Sequence, residues 1–127
     1  MDDAALGTTA LRTLAAIRIA NGALGLLAPA VLVARTSADP RSTAPYYAFR
    51  MFGIRTLVLG VDLLTLRGEA QVRARNQAVL IHASDTVCAA VGAIRGDVPR
   101  SAARTTVAIS AVNTALAVIA RRYAPAP

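Results

Sequence analysis

The chain is 127 residues long, 55% of them hydrophobic, 17% charged and 4% aromatic, and its net charge is +7. So apolar a composition excludes a disordered chain, and the length suits one domain. A single cysteine, Cys88, excludes an intrachain disulfide scaffold, and with His82 as the sole histidine the ligand set of a structural zinc site is missing.

Four apolar stretches follow one another along the chain. The first, 11–34, spans 24 residues and contains Arg12, Arg18 and Asn21. Pro29 near its end leaves the Gly25 carbonyl without a donor and predicts a kink there. The second, 46–66, spans 21 residues, opens on Tyr46, Tyr47, Phe49 and Phe52, and carries Arg50, Arg55 and Asp62. The third, 78–94, spans 17 residues with His82 and Asp85; the fourth, 102–120, spans 19 with Arg104 and Asn113. A membrane-crossing helix needs about 20 apolar residues, with a range of about 17–25. The stretches are joined by short polar segments rich in Arg, Gly, Asp and Pro, which break helices and force neighbours to run antiparallel. The expected fold is all-α, a four-helix transmembrane up-down bundle.

A soluble four-helix bundle is the competing reading. It requires wet helix faces, yet the chain has one Glu and no Lys, and 56–61 and 86–94 carry no charge on any face. Charged residues within the stretches oppose the membrane reading, since a central Arg or Asp costs about 2.5–3.5 kcal/mol on insertion. The apolar faces outweigh that objection, and the aromatics at the start of the second stretch and Tyr123 after the fourth suit an interfacial belt. All 14 basic residues are Arg, spread along the chain without an aromatic platform, which suits helix flanks at lipid headgroups and not a nucleic-acid surface. Arginine without lysine, beside abundant Ala, Val and Gly, points to a GC-rich bacterial genome and hence to a bacterial plasma membrane. Asp2 and Asp3 precede a first apolar run too long for a signal-peptide core, so that run is expected to stay as a span. Six arginines flank the side that would hold both termini and four the other, favouring termini in the cytoplasm.

Threaded in alternating directions, the spans bring polar residues to one depth. Arg18, Asp62, His82, Asp85 and Asn113 fall in the same half of the bilayer, with Arg55 near its middle. Arg55 and Asp62 are seven apart and share a helix face; His82 and Asp85 are three apart and adjacent. Buried ions in lipid must pair or reach water. The economical arrangement neutralises Arg18 and Arg55 with Asp62 and Asp85, while His82 and Asn113 complete the hydrogen bonds and Asn21 borders the Arg18 face. Such a layer serves equally to fix helix register, to hold the polar end of a lipophilic molecule, or to move a proton through His82 and Asp85. One His cannot supply both axial ligands of a haem.

Small residues recur every four positions at Ser84, Cys88 and Gly92, and at Thr106, Ser110 and Thr114. Such stripes let helices approach closely, within the bundle or in a homo-oligomer. Cys88 has no resolving thiol in the chain, so packing is its expected role. A faint echo relates Ile17, Arg18, Gly22, Leu26 and Leu27 to Ile54, Arg55, Gly60, Leu63 and Leu64, with the Gly one residue out of step.

The stretch FRMFGIRTLVLGVDLL, 49–64, followed by IHASD, 81–85, resembles the DoxX-like group of small four-helix bacterial membrane proteins. The matching positions are Gly53, Arg55, Gly60 and Asp85, and the resemblance covers about the middle half of the chain. Arg18 and the lack of Trp depart from the group. The resemblance implies the fold and assigns no activity.

The expected function is a small integral membrane protein whose polar layer binds a lipophilic small molecule or a partner subunit, with Arg18, Asn21, Arg55 and Asn113 as ligand-binding residues. One alternative is a membrane isomerase or cyclase acting on a lipophilic substrate, with Asp85 or Asp62 as acid and His82 as base. The other is a small proton-coupled transporter. No cofactor follows from the residues, and the expected partners are the bilayer, a lipophilic molecule and a second copy, not nucleic acid.

Overall fold

The structure, a computed structural model, describes residues 2–36, 39 and 41–125. It is all-helical, with no strand among the described residues. Among these residues five helices follow in order: α1 (Asp3–Leu27), α2 (Pro29–Thr36), α3 (Ala44–Thr65), α4 (Gly68–Arg95) and α5 (Arg100–Tyr123).

The continuous helix expected over 11–34 is interrupted. Ala28 leaves the helical region at φ −134°, ψ 55°, and its N–H bonds to the Leu24 carbonyl. Pro29 has no N–H with which to continue the ladder, and its fixed φ suits the first position of a new helix. The proline thus breaks the helix outright, where a kink was expected, and α2 begins on it.

The polar segment at 67–77, read from sequence as a connection, is almost entirely the first three turns of α4. Only Leu66 and Arg67 separate α3 from α4, and Gly68 takes φ +56°, a left-handed conformation that glycine adopts without strain. Gln71, Ala74, Arg75 and Ala78 then lie at helical spacing on a buried face. At the other end Gly96, with φ +75°, caps α4, and the Asp97 N–H bonds to the Gly92 carbonyl.

Helix α1 is the centre of the packing. It lies antiparallel to α3 on one side and to α5 on the other, and α4 packs along α5; α3 and α4 touch only lightly. The α1–α3 contact is built on glycine. A Cβ on Gly53 would strike the backbone of Leu26, one on Gly22 the backbone of Leu57, and one on Gly25 the Phe49 carbonyl. Backbones this close need residues without side chains on both helices. The core beneath is small and apolar: Ala10, Leu11, Leu14, Ala15, Leu63, Ala74, Ala78, Ala117 and Ala120.

The surface is unusually apolar. Leu27, Leu80, Val87 and Ile94 are exposed, as are Ile54, Val58, Ile109 and Val112. The interior holds Arg18, Arg75, His82, Gln71 and Asn113. Among the described residues three helices, α1, α4 and α5, are long and apolar enough to cross a membrane. By length and composition α3 is not among them, and it carries Arg50, Arg55 and Asp62.

Candidate functional site

Arg18 sits midway along α1 and is 2% exposed. Gly60 of α3 makes the room: a Cβ there would lie 3.0 Å from the Arg18 Cβ and 2.9 Å from Ile19 Cγ1. The Arg18 side chain crosses to α4, where Nη1 lies 2.7 Å from His82 Nε2, with both residues buried.

This contact fixes the imidazole chemistry. A guanidinium has donors and no acceptor, so Arg18 donates and the lone pair of His82 Nε2 accepts. His82 is therefore neutral here and carries its proton on Nδ1. That nitrogen faces Asp85, whose Oδ2 lies 3.8 Å away, within ion-pair range and beyond a hydrogen bond. The Asp85 side chain is 48% exposed, so the row runs from a buried cation through a neutral imidazole to a carboxylate at the helix surface.

One turn further along α4, Thr86 donates to the His82 carbonyl at 2.8 Å and meets Thr114 of α5 at 2.9 Å. Thr114 in turn donates to the Ser110 carbonyl. Next to Thr114 stands Asn113, buried, with no hydrogen bond to its side-chain carbonyl oxygen; Arg18 Nε is likewise buried without an acceptor. Asn113 and the half-buried Asn21 line an open groove of about 370 Å³ between α1 and α5, walled by Ile17, Ala108, Ile109 and Val112.

The expected balance of two arginines against two aspartates does not form. No ion pair links Arg55 or Asp62 to Arg18, His82 or Asp85 among the described residues. The two do share a face of α3, but α3 turns its Gly53, Thr56, Gly60 and Leu63 face toward α1. Arg55, one residue from Thr56, is rotated by about 100° to the outside. It lines a separate groove of about 480 Å³ between α3 and α4 with Ile54, Val58, Leu59, Gln77, Leu80 and Ile81. Asp62 is half-buried near the end of α3, where its backbone carbonyl accepts the Leu66 N–H. Arg18, His82 and Asp85 are thus brought together, Asn21 and Asn113 share the α1–α5 groove, and Arg55 and Asp62 stand apart.

A second buried arginine was not singled out from sequence. Arg75 donates through Nη1 to the Ala124 carbonyl at 3.1 Å, and through Nη2 to the Pro125 carbonyl at 2.9 Å and Gln71 Oε1 at 3.1 Å. The Gln71 amide donates to the Leu63 carbonyl of α3 at 3.4 Å. Arg75 thereby holds the chain leaving α5 and, through Gln71, the end of α3. Its cation sits at a helix C-terminus, where the macrodipole favours it. The available signal was the four-residue spacing of Gln71 and Arg75 in register with Ala74 and Ala78.

The two small-residue stripes part company. Ser110 and Thr114 of α5 turn inward toward α4, while Ser84 and Cys88 of α4 are exposed. Of the positions that carry the DoxX-like resemblance, Gly53 and Gly60 serve the α1 contact, and Arg55 and Asp85 lie at the surface. Comparison with known protein families, with characterised proteins and with solved structures finds no match.

Proposed function

We propose that this chain is a bacterial plasma-membrane protein that crosses the bilayer four times and binds a lipophilic small molecule beside the Arg18–His82 centre. In this reading α3 is the fourth span. Its glycine face seals against α1, Arg50 lies in its first turns near the headgroup layer, and Arg55 lines the groove against α4. The DoxX-like resemblance supports the same four-helix arrangement.

One observation carries the reading. A buried guanidinium is bonded to a neutral imidazole and touches no carboxylate, while on α5 the side-chain carbonyl oxygen of buried Asn113 has no partner. Each unpaired buried polar group costs about 1–3 kcal/mol, a cost that a ligand bound at the centre would offset. Unsatisfied polar groups next to an open apolar groove are the features of a binding site.

Binding is favoured over acid–base catalysis by the same contact. The lone pair that His82 would use as a base is occupied by Arg18. Native mass spectrometry of mildly extracted protein, with an absorbance spectrum of the same sample, tests the proposal. A lipophile retained by the wild type and lost on Arg18→Met with His82→Leu supports it; a bare protein contradicts it.

A further inference from the structure

Two open grooves among the described residues differ in charge, and that difference selects ligands. The α3–α4 groove has Arg55 in its wall. The α1–α5 groove has no charged side chain in its wall: Ile17, Ala108, Ile109 and Val112 are apolar, and its polar groups are the amides of Asn21 and Asn113. The neighbouring Arg18 does not line this groove and gives its Nη1 to His82.

Asn113 is the decisive residue. It is 7% exposed, it lines the groove, and its carbonyl oxygen has no hydrogen-bond donor. An acceptor that nothing in the protein satisfies is therefore buried at the groove wall, with the amide N–H₂ as a donor beside it. The groove volume of about 370 Å³ lies in the range of small-molecule sites, roughly 300–1,000 Å³. Its outer wall, Ala108, Ile109 and Val112, is exposed on α5, so an occupant enters sideways from the surrounding apolar phase.

We infer that the α1–α5 groove binds an uncharged lipophile bearing a hydroxyl group, a long-chain alcohol in chemical class, with the hydroxyl on the Asn113 amide and the hydrocarbon along Ile17, Ile109 and Val112. This rests on the membrane-binding reading above and names the ligand class of that site. A hydroxyl both donates and accepts, so it matches a carboxamide. A hydrocarbon would leave the amide unpaired, and a carboxylate would place a charge among walls that carry none. Asn21, one turn along α1 from Ile17, supplies the second amide.

The test uses the full chain in lauryldimethylamine oxide, a detergent without hydroxyl groups, with three probes of equal chain length: tetradecan-1-ol, tetradecane and tetradecanoate. Thermal midpoint and native mass spectrometry are read for each. The alcohol is expected to raise the midpoint and to remain as an adduct, the alkane and the carboxylate to do neither. Asn113→Leu is expected to weaken alcohol binding about tenfold or more, as one lost hydrogen bond does. Its midpoint without ligand should be no lower than wild type, because the substitution removes an unpaired polar group. Val112→Trp, at an exposed wall position, fills the groove and should abolish binding even if Asn113→Leu folds poorly.

Equal binding of alcohol and alkane overturns the inference, as does tighter binding of tetradecanoate. So does unchanged alcohol binding in Asn113→Leu or Val112→Trp. A native lipophile that the wild type retains and both variants retain equally places the ligand elsewhere, which overturns the groove and spares the broader reading. A wild type that holds no lipophile of any kind overturns both.

Discussion

Arg18 Nη1 lies 2.7 Å from His82 Nε2, across the interior from α1 to α4. The direction of that hydrogen bond is settled by chemistry, because the guanidinium has no lone pair to offer. Nitrogen-15 NMR of histidine-labelled protein should therefore show neutral His82 with its proton on Nδ1. The opposite tautomer, or an imidazolium, would rule this contact out.

The two partners are not equivalent when removed. His82→Leu leaves a buried cation without its acceptor, and breaking a buried charged contact in this way costs about 3–5 kcal/mol. Arg18→Met leaves only a neutral imidazole nitrogen unpaired, at about 1–3 kcal/mol. The double substitution should recover most of the larger loss. Chemical denaturation of the four proteins measures this, and additive effects would mean that the residues do not interact.

Glycines divide into two kinds by what surrounds them. Gly53→Ala drives a Cβ into the Leu26 backbone, so α1 and α3 must separate, at about 1–3 kcal/mol or more. Gly92→Ala meets nothing nearer than Asp97 Oδ2 at 4.0 Å, and in a helix it should be neutral or stabilise by about 0.5–1 kcal/mol. Thermal midpoints of the pair should move in opposite directions or leave Gly92→Ala unchanged. Equal losses would mean that the α1–α3 approach is wrong.

Arg75 predicts a local effect. Arg75→Met releases the carbonyls of Ala124 and Pro125 and the Gln71 side chain. Amide exchange in the last turn of α5 should rise, with the α1–α3 contact unaffected. Arg75→Lys should not rescue it, since an ammonium cannot span both carbonyls and Gln71 as the forked guanidinium does.

Much of this was legible from sequence, and the failures have physical causes. The all-helical character followed from four long apolar stretches, and the approach of Arg18 to the His82 and Asp85 pair followed from depth and face alone. Arg55 and Asp62 were misplaced because spacing within α3 says which residues share a face but not which face is inward. That was decided by Gly53 and Gly60, whose value lies in the backbone of another helix. Asn113 was singled out by its position in the fourth apolar stretch, but the groove beside it exists only through α1 and α5 together. Arg75 was missed because a polar run next to an apolar one was read as a connection. The burial of Gln71 and Arg75 depends on where the chain leaves α5.

The membrane itself is tested most directly at Cys88, the one cysteine of the chain. It is exposed on α4, seven residues before the helix ends at Arg95, which puts it about 10 Å in along the axis. A bilayer with a hydrocarbon core of about 30 Å covers that position and keeps a charged, water-soluble reagent away from the thiol. In intact membranes a membrane-impermeant maleimide, given access to both faces, should leave Cys88 unlabelled until detergent and denaturant are added. Prompt labelling of the folded protein, or its recovery in the soluble fraction with a reactive Cys88, would contradict the account.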